Sequence, residues 1–183
     1  MELAGPWTLT PLRRYRVGER DYEVEDIHDA PPLPVTLGDW VGALGRSFSG
    51  DAAYECFFDL RPAQAGRAAL LDLGEVGHAC EVSLNGRPAG RCAWAPCVIE
   101  ATGLLREGEN RLRIVVTNTF ANALLDEEVR HAWAARTGPG WPGCYDERAN
   151  VFEQESQPGG LAGPVALVFG RAGHDTRGRR ETP

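Results

Sequence analysis

The chain is 183 residues long, 43% hydrophobic and carries a formal net charge of −7. This length buries one good core and falls short of a barrel-type catalytic domain of about 250 residues with an extra module, so one principal domain is expected. The acidic balance argues against nucleic acid as a partner, and no apolar run approaches the roughly 18 residues of a membrane span.

No charged-then-apolar leader opens the chain, which makes the cytoplasm the default location. The domain is expected over residues 1–170. A Gly-containing tail, 171–183, holds the one dense basic cluster, Arg177, Arg179 and Arg180, and is expected to be disordered. Of the five cysteines, Cys56 and Cys80 fall inside apolar strand patterns and Cys92 and Cys97 flank a turn. An odd number, completed by Cys144, leaves at least one thiol free or paired with another chain. Reduced thiols are the default expectation, with a Cys92–Cys97 pair reserved for an oxidising context.

The middle of the chain reads as short strands separated by Gly, Pro and Asn signals, the rhythm of a sandwich or jelly roll. Ala53 to Leu60 is a strand, Pro62 to Gly66 its connection, and Ala68 to Leu73 the next strand, ended by Gly74. Ala79 to Leu84 alternates and runs into Asn85-Gly86, the dipeptide best suited to a type I′ hairpin because both central residues need positive φ. Pro88 to Trp94 returns. Glu107 to Asn110 is expected to be a turn feeding the strand Arg111 to Asn118, whose Leu112, Ile114 and Val116 point to the core. The last strand, Gly163 to Phe169, is expected to close the domain by pairing with an early segment such as Trp7-Thr8-Leu9.

An insert over about 119–160 interrupts this rhythm. Ala121, Leu124, Leu125, Val129, Ala132 and Trp133 recur at helical spacing, with acids Asp126, Glu127 and Glu128 leading, and Gly138-Pro139 stops the helix. An aromatic-rich loop, Gly140 to Glu147, follows. A loop this long carries function or is disordered, and its Trp and Tyr argue against simple disorder.

Several phrases, in order, resemble one family. Leu37-Gly38-Asp39-Trp40, Phe48 to Tyr54, Leu73-Gly74-Glu75-Val76 and Val82 to Gly90 are similar to the galactose-binding-like sugar-binding domain of family 2 glycoside hydrolases. So are Trp94-Ala95-Pro96, Gly108 to Leu112, Val116 to Thr119 and Gly160 to Val165. The variant most alike is the C-terminal sandwich of family 106 α-L-rhamnosidases. Cys97 departs from that pattern, standing where an aromatic commonly follows the Trp-Pro segment, and the insert is longer than a simple strand connection. The resemblance implies an all-β, galactose-binding-domain-like jelly-roll β-sandwich with one helical insert before the last strand. It also implies a catalytic barrel elsewhere, no required cofactor, and the option of a structural calcium without assigned ligands.

Glycosidases need two carboxyl groups about 5–9.5 Å apart, and Glu127, Glu128, Asp146, Glu147, Glu153 and Glu155 are the candidates. Solvated surface acids explain them more simply. His28, His78, His131 and His174 lack ligand spacing or a nucleophile motif. Sugars present apolar faces ringed by hydroxyls, so a binding site needs exposed aromatics beside polar side chains. Trp141, Tyr145, Asp146, Arg148, Asn150 and Glu153 offer that mixture, and anchoring of the insert explains the same aromatics equally well. The expected function is a non-catalytic carbohydrate-binding or accessory domain of a glycoside hydrolase. The alternatives are a structural domain packed on a catalytic partner and, third, an independent glycosidase.

Overall fold

The computed structural model describes residues 1–17, 22–137 and 159–170. Among them the strands are β1 (Trp7–Val17), β2 (Tyr22–Asp26), β3 (Leu33–Val35), β4 (Gly38–Asp39), β5 (Gly50–Leu60), β6 (Ala69–Asp72) and β7 (Glu75–Gly77). They continue as β8 (Ala79–Leu84), β9 (Arg87–Cys92), β10 (Val98–Glu100), β11 (Gly108–Thr117), β12 (Gly160–Gly163) and β13 (Ala166–Phe169). The helices are α1 (Val41–Leu44), α2 (Pro62–Ala65) and α3 (Glu127–Thr137), with a 3₁₀ turn over Phe120–Leu125.

These strands make an all-β sandwich. The large sheet runs β2-β1-β5-β11-β8-β9, with β3 also on β1, and two smaller sheets run β10-β6-β13 and β4-β12-β7. Alternation decides which face is which. Leu112, Ile114 and Val116 of β11 are wholly buried, as are Leu71, Leu161 and Leu167 of the smaller sheets, and all belong to one core cluster. Each such side chain contributes about 1.5–3 kcal/mol by leaving water. The outer face of the large sheet is instead ionic: Glu55 bridges Arg111 at 2.7 Å and Arg113 at 3.1 Å.

Turn chemistry follows the expected pattern at Asn85-Gly86, where φ is 54° and 78°. Asn85 does more than turn. Its amide nitrogen donates to Leu104 O and to Asn110 Oδ1, both at 2.9 Å, and its oxygen accepts from Arg111 N at 3.0 Å. Gly108 to Asn110, expected as a turn, instead begins β11, because Asn110 is buried and supplies the polar partners that a turn would have taken from water.

The closing strand departs from the expected pairing. Gly163 is instead the last residue of β12, and Ala166 to Phe169 forms β13 in a different sheet, where it pairs with β6, Leu167 opposite Leu71. Trp7-Thr8-Leu9 is already satisfied on both edges, by Leu33 to Val35 on one side and by Tyr54 to Cys56 on the other. The early segment that reaches the last strand is Met1 to Leu3, through Leu3 N donating to Val165 O and Leu167 N donating to Met1 O, each at 2.8 Å.

The helix of the insert begins later than its periodicity suggests. Phe120–Leu125 is a 3₁₀ turn, and Asp126, in extended conformation, accepts from Glu128 N at 3.0 Å and Val129 N at 3.3 Å to start α3. A buried polar latch upstream holds this geometry. Ser49 Oγ donates to Thr119 O and accepts from Ala123 N, while Asn118 accepts from Gly50 N and donates to Phe48 O, all at 2.8 Å. The phrases around Ser49-Gly50 and Thr117-Asn118-Thr119 are thereby explained as a structural joint.

Burial pushes Tyr54 up to about 12 from its ordinary 10.0, outweighing a hydrogen bond with the Leu161 backbone, and the charge of Asp39 adds to the rise. The neutral phenol is the folded form. Its contribution is whole below pH 10, where both states keep the proton, and is lost as the unfolded phenol ionises between pH 10 and 12. Alkaline unfolding followed by circular dichroism should show about 2–3 kcal/mol lost over that window. Tyr54→Phe should flatten that part of the profile, and an unchanged slope would remove Tyr54 as its source.

Candidate functional site

The sequence-picked residues Trp141, Tyr145, Asp146, Arg148, Asn150 and Glu153 lie outside the described residues, as do Glu147, Glu155 and Cys144. The described ends of their segment are α3 and Gly159. Gly159 O accepts from Trp40 N at 3.1 Å, and a Cβ on Gly159 would stand 2.2 Å from the Trp40 indole nitrogen. Trp40 is 2% exposed and meets Phe48 edge-on at 5.3 Å, so it is a core residue that seats the returning chain. Beside it opens a largely apolar cleft of about 480 Å³, walled by Pro34, Val35, Asp39, Gly42, Ala43 and Tyr54.

A second depression, about 400 Å³, holds a built ionic cluster. Arg13, Asp51 and Thr117 occupy paired positions across β1, β5 and β11. Asp51, 2% exposed, meets Arg13 Nη2 at 2.5 Å, accepts from Thr117 Oγ1 at 2.6 Å and from the Tyr15 hydroxyl at 3.3 Å. The carboxylate is fully occupied in holding three strands together. Of the acids weighed for glycosidase chemistry, Glu127 and Glu128 sit exposed in the first turn of α3, where the helix dipole favours them. His28 and His131 are exposed.

Among the described residues the most exposed large apolar side chain is Trp94, at 85%, with Phe57 at 50%, whereas Trp7 and Trp40 are buried. Trp94 stands on the link between β9 and β10, closed by a Cys92–Cys97 disulfide with Cα atoms 5.5 Å apart and containing a cis Ala95-Pro96 bond. The expectation of reduced thiols is corrected here. The end of β9 and the start of β10 converge, which brings the two cysteines into bonding range. Cys56 and Cys80 are free and buried. Trp94 was legible only as part of a family phrase; its flanking by Cys92, Pro96 and Cys97 was the available sign of a rigid display.

Among the described residues no group of three or more His, Cys, Asp or Glu side chains is placed to hold a metal ion, so the calcium option gains no ligands from them. No helix among them is long and apolar enough to cross a membrane.

Sandwich and strand order define an all-β domain related to those of glycoside hydrolases. A rhamnosidase from Novosphingobium sp. PP1Y matches 91% of the chain at TM-score 0.62 and 26% identity, and the chain spans 14% of that protein. A candidate β-glucuronidase of Formosa agariphila is 36% identical over 96 residues, 51% of this chain and 8% of that protein. The β-glucuronidase of Ruminococcus gnavus shares the fold at TM-score 0.50 and 16% identity, over 64% of this chain and 21% of its own. No family model matches the chain.

Proposed function

We propose that the chain is a non-catalytic accessory module of a multidomain glycoside hydrolase that recognises carbohydrate through an exposed aromatic platform. The observation that carries this reading is the match of nearly the whole chain to a small part of a rhamnosidase. Trp94 supports it physically, since an indole held open on a closed loop offers a flat apolar face at little entropic cost. Trp141, Tyr145, Asp146, Arg148, Asn150 and Glu153 are the second proposed contributors, on the chemistry of their side chains alone.

Calorimetric titration with galactose, rhamnose, glucuronic acid and plant-polysaccharide fragments at millimolar concentrations tests the reading. Trp94→Ala should weaken binding about ten- to hundredfold, the scale of a truncated aromatic anchor, and leave unfolding unchanged because the side chain covers no core. Trp141→Ala in the same titration separates the two contributors. Absence of binding by the wild type would overturn the carbohydrate reading in favour of a structural domain packed on a catalytic partner. A specific feature favours that second reading: Leu70, Val98 and Val168 are exposed on the outer face of the β10-β6-β13 sheet, Val168 directly opposite Leu70.

A further inference from the structure

Three of the five cysteines meet where β8, β9 and β10 come together. Cys80 of β8 and Cys92 of β9 are direct register partners, followed by Val82 opposite Gly90, so both cysteines project from the inner face of the large sheet. The Cys80 sulfur is hydrogen-bonded to the backbone of Cys92. Cys80 and Cys97 are each 3% exposed and belong to the core cluster, and the half-buried Cys92 packs against it. Opposed residues of an antiparallel pair stand about 4.5–5.5 Å apart at Cα, inside the range of about 4.4–6.8 Å that a disulfide spans. Cys56 is remote from this corner: it pairs with Leu112, which in turn faces Leu84 at the other end of β8.

We propose that Cys80 and the Cys92–Cys97 bond form an internal thiol–disulfide exchange site that determines whether the Trp94 loop is covalently closed. Cys80 gives up its proton and its sulfur attacks Cys92 Sγ. The Cys80–Cys92 bond forms as the Cys92–Cys97 bond breaks, and the electron pair leaves on Cys97 Sγ, which takes up a proton. One disulfide and one thiol stand on each side of the step, so no oxidant or reductant is consumed. The product staples β8 to β9 and frees residues 93–96 from their closure. Burial pushes the Cys80 thiol up, which keeps the attacking thiolate scarce and slows the step. The regulatory meaning rests on Trp94 being the sugar platform; the exchange itself does not.

Cys97→Ser exposed to oxidised glutathione, then alkylated, digested and mapped by mass spectrometry, should contain a Cys80–Cys92 bond. A product with glutathione on Cys92 and a free Cys80 thiol would overturn the exchange. Pulse alkylation of the native wild-type chain with N-ethylmaleimide gives a second reading that needs no Cys97 variant. Label should accumulate on Cys97, persist in Cys56→Ser and fall at least tenfold in Cys80→Ser; equal labelling with and without Cys80 overturns the proposal. Where the wild type binds sugar, the stapled Cys97→Ser chain should bind it about tenfold more weakly. Unchanged affinity would overturn the regulatory role, whereas absence of binding by the wild type would overturn the carbohydrate reading and leave the disulfide maps standing.

Discussion

Gly50→Ala is expected to cost at least about 4 kcal/mol, a large share of the 5–15 kcal/mol that holds a typical domain together. Gly50 has φ of 150°, and a Cβ there would stand 1.9 Å from Arg13 O and 2.8 Å from Arg13 C. The obstacle is backbone, so no rotamer change relieves it. β1 would have to move off β5 at the bulge between Pro11 and Arg13, pulling Arg13 from the buried Asp51. Gly86→Ala is the control. Gly86 also has positive φ, at 78°, but a Cβ there meets nothing within 4 Å, so only the left-handed backbone is charged, about 1 kcal/mol. Urea unfolding of both variants measures the difference, and equal losses would show that close approach at Gly50 is not the constraint.

Asn110→Ala is expected to cost about 3–5 kcal/mol, because buried groups are left without partners. The Asn110 oxygen accepts from Asn85 Nδ2 at 2.9 Å and Arg106 N at 3.0 Å, and its nitrogen donates to Arg106 O at 2.8 Å and Gly108 O at 2.9 Å. The side chain is wholly buried, so water cannot replace these bonds without opening the loop. Asn110→Asp should not rescue stability: an ionised carboxylate accepts only and would face the two carbonyls that Asn110 now serves as donor. Denaturant titration gives the loss. Hydrogen exchange at the Arg106 amide locates it, and retained protection there in Asn110→Ala would refute the assigned role.

Local patterns were legible wherever one residue type has one physical use. The buried triad Leu112, Ile114 and Val116 follows from the two-residue period of a strand, and the Asn85-Gly86 hairpin from the need for two positive φ angles. The ordered phrases from Leu37 onward also pointed to a glycoside-hydrolase-related sandwich. The candidate site was less legible. Trp40 and Trp94 are the same residue in comparable phrases, yet one seats the chain at Gly159 and the other stands in solvent. Burial is a property of the neighbours that tertiary packing brings, and the one-dimensional pattern around each Trp does not contain them.

By itself the sequence determined the β class, the inward face of the central strand, the principal hairpin and the kinship of the domain, because each rests on contacts between near neighbours or on an ordered series of motifs. Tertiary structure alone decided the rest. It placed β13 on β6 instead of on Trp7 to Leu9, whose two edges were already taken by β3 and β5. It also started α3 at Glu127, where the Asp126 carboxylate reaches two free amides, and it joined Cys92 to Cys97 across from the Cys80 thiol. The β13 pairing depends on residues far apart in the chain competing for one edge, settled only when the whole core packs. The other two contacts are short in sequence, and what fixes the backbone around them is the anchoring of Thr119 and Ala123 on Ser49 and the pairing of β9 with β8.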